Sequence, residues 1–251
     1  MSAPAPAGTA PAGPGEARPE HPWVLRQTWR DVLFLHWPAP AELLLSLLPA
    51  PLELDTHAGL AWISIVPFRI EGCRVRGLPP LPGLRQSAEL NLRTYVRLYG
   101  QPGVHFLTLE AENRLFVAGG RLAFHLPYHH ACMLCRSAGG RVDFESVRRA
   151  STTSFVAFTG SYEPCGPAAE APPGSLEHFL AERYSLFAED RRGRIHRADI
   201  RHAPWRLQPA RARIQRNTLP EAYGLAVAGD PLLHYAARQD VLFLGPRRVH
   251  P

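Results

Sequence analysis

The chain has 251 residues, 45% of them hydrophobic, enough to bury a real core, and we expect one folded domain over residues 23–251. No apolar run approaches the ~20 residues needed to cross a bilayer, and four scattered cysteines (Cys73, Cys132, Cys135, Cys165) exclude a disulfide scaffold, so a reducing cytoplasm is the expected location. The net charge is +6, all 28 basic residues are Arg and none is Lys, and 13 of those Arg against 7 acids fall in residues 181–251.

A basic surface attracts nucleic acid or anionic substrates. No nucleic-acid-binding motif accompanies the excess here, and Arg192, Arg194, Arg197, Arg201, Arg211, Arg213 and Arg216 are spaced as on a solvated sheet face. Residues 1–22 read as a disordered Ala/Pro/Gly tail without the apolar centre of a secretory signal. VLFLHWP, within Trp23–Trp37, predicts a buried strand ended by Pro38. A short helix follows over Ala41–Leu48, its Leu-rich face buried, begun by Pro40 and stopped by Pro49 and Pro51. LELDTHAGLAWISIVPFR predicts a hairpin about His57-Ala58-Gly59, and GLPPLPG at 77–83 a rigid loop arching over a pocket mouth. In ELNLRTYVRL, strand alternation puts Glu89, Asn91, Arg93, Tyr95 and Arg97 on one face, with Leu90, Leu92, Thr94, Val96 and Leu98 on the other. Such a polar line either coats an exposed sheet or lines a polar pocket. VHFLTLEAEN returns as a strand, with Glu110 and Glu112 expected in solvent.

The densest chemistry lies in RLFVAGGRLAFHLPYHHACM, Arg114–Met133. Leu115, Phe116, Ala118, Gly119, Leu122 and Ala123 recur at helical spacing and should pack, with Gly119 and Gly120 permitting close backbone approach and Pro127 stopping the helix. Tyr128 and His129 then follow on a loop-like segment that faces a cleft. A phenol can donate to a developing oxyanion, and a neutral imidazole can move a proton near pH 7. His129, His130, Cys132 and Cys135 are zinc-type ligands, but on a strand Cys132 and Cys135 point to opposite faces and no second cluster lies at finger spacing, so we expect no metal. Further on come a hairpin across Gly139-Gly140, the strand STTSFVAFTGSYEP and a Ser175-capped helix, SLEHFLAERY. A strand pair around Arg191–Gly193 and the segments PWRLQPARARIQ and DVLFLGP complete the chain. At least eight strands with three short helices predict an α+β fold, mainly an antiparallel β sandwich or barrel.

The segments FLHWP, LELDTHAGLAWISIVPFR, ELNLRTYVR, LPYHHA, SLEHFLAERYSLF, PWRLQPA and DVLFLGPRRV resemble the YqjF-like family of uncharacterised bacterial proteins, which is similar in fold to acetoacetate decarboxylase. The likeness runs from Trp23 to Val249 and implies a decarboxylase-like fold and pocket. The decarboxylase run G-R-E-x-Y-G-F-P-K-K falls on Gly120-Arg121, Phe124 and Leu126-Pro127, so the resemblance places Tyr128 and His129 where the two lysines would stand. It also matches Glu89 to a Glu that helps form the active site. A Schiff base needs a neutral primary amine, and Arg cannot lose its proton. Covalent decarboxylation is therefore rejected. What remains is a non-covalent acid–base set: Glu89, Tyr128 and His129 as catalytic groups, with Arg93, Tyr95 and Arg121 holding a small organic anion and no cofactor. Isomerisation, dehydration and aldol-type steps suit it. Two other readings stay open: a non-catalytic small-molecule binder, and an interaction protein in which Tyr128 and His129 plug the core edge while Arg121 braces the helix. Self-assembly into a homo-oligomer is compatible with each.

Overall fold

The structure, a computed structural model, describes residues 22–79 and 85–250. The tail and the tip of the proline-rich loop lie outside the described residues.

Its strands are β1 (Trp23–Ala39), β2 (Glu53–Leu54), β3 (Ala61–Val75), β4 (Gln86–Leu98), β5 (Gln101–Ala111), β6 (Tyr128–His130) and β7 (Cys132–Ala138). They continue with β8 (Arg141–Arg149), β9 (Phe155–Pro164), β10 (Ser185–Glu189), β11 (Ile195–Arg201), β12 (Gln208–Asn217), β13 (Leu232–Leu244) and β14 (Arg247–Arg248). Among the described residues three short α-helices interrupt them: α1 (Ala41–Leu47), α2 (Arg114–Phe124) and α3 (Leu176–Ala181). Among the described residues no helix is long and apolar enough to cross a membrane.

The sheet closes on itself. Pairings run β11-β10-β5-β4-β3-β1-β13, and β13 pairs back to β11 through Ile200↔Phe243 and Arg201↔Leu242, making a barrel. The other end of β13 pairs with β12 at Gln208↔Tyr235, and from there β9, β8 and β7 extend outward as a second layer. That layer explains why β1 and β3 are apolar on both faces, and why β4 is buried on both. Val32, Phe34, Val66 and Phe68 face the barrel interior, whereas Leu33, Leu35, Ile63, Ile65, Leu90 and Leu92 pack outward on Val142, Phe144, Val156 and Phe158. Burial of each such side chain is worth about 1.5–3 kcal/mol.

Pro67 sits within β3 and has no N–H to offer β1. Pairing between these strands lapses from Arg30 to Leu35, and Asp31 adopts a left-handed φ of 53° there. Its carboxylate is held by Arg69 at 2.6 Å and by the Tyr235 hydroxyl at 2.8 Å.

Four sequence expectations need correction. β2 does not form a hairpin with β3: Ala58 (φ 50°) and Gly59 (φ 78°) close a tight turn bridged only at His57↔Leu60, and β2 instead extends the ladder on β4 through Leu54↔Val96. β1 runs through Pro38 to Ala39, paired with β3 by Pro38↔Trp62. α1 buries only Leu44, because a seven-residue helix presents too little surface to cover Leu43 and Leu45 as well. Glu110 is fully buried rather than solvated. The second layer covers β5, where Ser146 donates to Glu110 at 2.5 Å and Arg148 pairs with it at 2.8 Å.

The hairpin across Gly139-Gly140, the Ser175 cap on α3 and the β10–β11 pair stand where the sequence puts them. Arg211 and Arg213 point to solvent while Ala210, Ala212 and Ile214 pack on the core.

Candidate functional site

Asn113 caps α2, accepting the N–H of Leu115 at 2.8 Å. The helix ends at His125, in a left-handed conformation (φ 56°), two residues before Pro127, so an αL cap and not the proline stops it. Only Phe116 and Val117 are buried on it; Leu115 (57% exposed) and Leu122 (79% exposed) face solvent, against expectation. The chain then turns into β6, parallel to β5, with Leu109↔Tyr128 and Glu110↔His129 in register. Alternation directs Tyr128 into the barrel and His129 away from it.

The barrel encloses a cavity of about 70 Å³. Every barrel strand contributes to its wall, with Phe34, Phe68, Phe106, Trp205 and Phe243 supplying apolar surface. One face of β4 brings three polar groups to it: Glu89, Asn91 and Arg93. The Tyr128 hydroxyl donates to Glu89 Oε2 at 2.7 Å. Burial pushes the Glu89 carboxyl up to about 7, against the lowering effect of hydrogen bonds from Tyr128 and Asn91. Burial and the neighbouring carboxylate hold the Tyr128 phenol well above its ordinary value, so it stays a donor. Arg93 donates from Nη2 to Leu180 O at 3.2 Å and lies over the Phe34 ring at 5.5 Å. It makes no ion pair among the described residues, and its buried Nε and the Asn91 Oδ1 have no hydrogen-bond partner there.

Residues 26–240 match the family described as uncharacterized conserved protein, DUF2071. The uncharacterized protein YqjF of Bacillus subtilis (strain 168) is 46% identical over 226 residues, covering 90% of this chain and 92% of that protein. The chain belongs to the DUF2071 family. Solved structures share its fold at low identity. Acetoacetate decarboxylase from Legionella pneumophila superposes with a TM-score of 0.62 at 15% identity, covering 100% of this chain and 92% of that one. The enduracididine biosynthesis enzyme MppR complexed with pyruvate gives 0.66 at 14% identity, covering 96% and 98%.

The remaining residues singled out in this DUF2071 protein lie outside the cavity wall. Tyr95 is fully buried; its hydroxyl donates to Leu180 O at 3.0 Å and lies 2.5 Å from Ser64 Oγ, bracing the carbonyl that also receives Arg93. Arg121 donates from Nε to the backbone oxygen of Tyr128 at 2.6 Å and so fixes β6 from outside. His129 is half-buried on the outer face, where burial first, then Arg148 and Arg121, push its imidazole down to about 4. Cys132 is exposed and Cys135 half-buried, its thiol pushed up to about 12 by burial.

Five further polar residues line the cavity: Gln27, Asn91, Arg183, Ser185 and His202. Arg183 is neutralised by Asp55 at 2.6 Å. Asn91 was legible from the β4 alternation; a lone His in RHAPW gives no sequence signal.

The close approach falls on Gly120, where an added Cβ would stand 2.3 Å from the Tyr128 ring, while Gly119 has open space. Gly120→Ala should therefore displace that ring, break its bond to Glu89 and cost about 1–3 kcal/mol. Urea denaturation checks it, with Gly119→Ala expected near wild type or slightly more stable.

Proposed function

We propose that this protein is a non-covalent acid–base enzyme, of lyase, isomerase or aldol type, acting on a small carbonyl or carboxylate compound inside the barrel. The observation that carries this reading is the 2.7 Å bond from Tyr128 to Glu89 in a cavity also lined by Arg93, which has no ion pair among the described residues. A carboxyl titrating at about 7 can both take and return a proton near neutrality. The guanidinium supplies the charge to hold an anion. A chain with no Lys has no side-chain amine to form a Schiff base with a carbonyl substrate. The size of the cavity limits the ligand: about 70 Å³ is several times the ~10–15 Å³ one water needs, and far below a drug-sized pocket. Support from the fold is consistent in scale, since MppR has been solved complexed with pyruvate and with the condensation product of pyruvate and imidazole 4-carboxaldehyde.

A thermal-shift screen of small carboxylates and carbonyl compounds tests the reading. Wild type should be stabilised by one or more short anionic compounds, and Arg93→Met should abolish the shift. Glu89→Gln and Tyr128→Phe should retain binding but lose turnover. A ligand bound equally well by all four proteins, with no turnover in any, would make the cavity a simple binding site.

A further inference from the structure

We propose that a groove on the outside of the barrel is a capture site for short organic anions, which pass from it into the cavity between Phe106 and Leu126. The inference rests on the reading of the cavity as an anion-binding acid–base site and adds the route of entry to it.

The groove has two connected parts. One, of about 450 Å³, runs between the end of α1 and β10 and is lined by Leu47, Pro49, Leu107 and Phe187. The other, of about 560 Å³, lies against the end of α2 and the turn after β10, where Arg121, Arg191, Arg192 and Arg194 line it. His125, Leu126 and Glu189 line both parts, which makes them one continuous depression. Phe106 and Leu126 line the groove and the barrel cavity alike, so the wall between the two spaces is at its thinnest there. The clefts at Arg211–Arg213 and at Arg248 share no residue with the cavity.

Both wall residues pack in one apolar cluster with Val104, Leu109 and Leu186, and Leu126 is only 8% exposed, so the passage is closed in this conformation. Leu126 belongs to no strand. It follows the left-handed cap residue His125, its N–H donates to Gly120 O at 3.1 Å, and its carbonyl accepts the N–H of Tyr128 at 2.8 Å. The groove beside it gives a leucine side chain room to change rotamer without moving that backbone. Phe106 is the cross-strand partner of Arg93 in the β4–β5 ladder. Directly opposed residues stand about 4.5–5.5 Å apart at Cβ on one face, so an anion that passes Phe106 arrives beside the guanidinium.

The charge at the mouth is unbalanced. Asp190 is taken up by Arg194 at 2.7 Å and lies 3.0 Å from His196 Nε2. Arg121, Arg191 and Arg192 make no ion pair among the described residues, and Glu189 is the further acid in this part of the wall. Three guanidinium groups against one carboxylate leave the mouth positive, and a concave low-dielectric surface focuses such a field on an approaching anion. Charge is thus selected in the groove, and size at the apolar pair that leads to a cavity of about 70 Å³.

The probe is pyruvate, its rates of entry and release read from relaxation dispersion of its methyl proton resonance with the whole protein at low and high ionic strength. The double variant Arg191→Gln/Arg192→Gln should slow entry about 10-fold at low salt, leave release unchanged and approach wild type at high salt. Arg211→Gln/Arg213→Gln removes the same charge from the β12 face and should admit pyruvate at nearly the wild-type rate. Leu126→Ala should speed entry and release together, and Leu126→Phe should slow both. A role in packing alone would change release and not entry. Phe106→Leu should also speed entry, which keeps the route testable if Leu126→Ala does not fold. Equal slowing in the two arginine doubles, or an entry rate unchanged by every substitution at Leu126 and Phe106, overturns the route. The acid–base reading survives that result if Arg93→Met still abolishes pyruvate binding. No binding of pyruvate to wild type overturns both the route and the reading on which it rests.

Discussion

Arg148→Met is expected to destabilise the protein by about 3–5 kcal/mol, because it strands a fully buried carboxylate. Among the described residues Glu110 has two side-chain partners, Arg148 at 2.8 Å and Ser146 at 2.5 Å, and both come from β8. The three side chains pin the second layer to the outer face of the barrel at β5. Burying an unpaired carboxylate costs far more than the net worth of a paired one, so Glu110→Leu combined with Arg148→Met should recover much of the loss. Urea denaturation of the two variants checks both halves. A loss of under about 1 kcal/mol for Arg148→Met would mean that the pair behaves like a solvent-exposed one.

The second large effect concerns Glu89 and pH. Its carboxyl titrates at about 7 when folded, against 4.5 for the free group, chiefly because burial penalises the charge. The folded state thus holds this proton to higher pH than the unfolded chain. Its stabilising contribution is complete below about pH 4.5 and is lost as pH rises through 7. A shift of this size corresponds to about 3 kcal/mol. Glu89→Gln cannot ionise. Relative to that variant, wild type should lose about 3 kcal/mol of unfolding free energy between pH 4.5 and about pH 8, read from urea curves at several pH values. A constant difference between the two proteins would contradict it.

Strand alternation was enough to place Glu89, Asn91 and Arg93 on one face of β4, and the structure turns that face into the barrel. The same rule could not tell that the opposite face of β5 is covered, since a second layer contributed by β8 and β9 is a long-range contact that leaves no local pattern. Glu110 was misjudged for that reason. In α2, helical spacing identified the apolar residues but not which of them would find a neighbour, and Leu115 and Leu122 remain uncovered. Tyr128 and His129 are adjacent in sequence, yet a three-residue strand sends them to opposite sides, and only the phenol meets Glu89. His202 had no motif around it; its place on the cavity wall follows from the β13–β11 closure.

The most direct measurement is a carbon NMR titration of protein labelled at the glutamate carboxyl carbon, with Glu89→Gln used to assign the resonance, carried out with and without saturating pyruvate. The cavity described here predicts a Glu89 midpoint near 7 that moves upward when the anion binds beside Arg93. A midpoint near 4.5 would contradict it, as would a Glu89 resonance unmoved by the ligand.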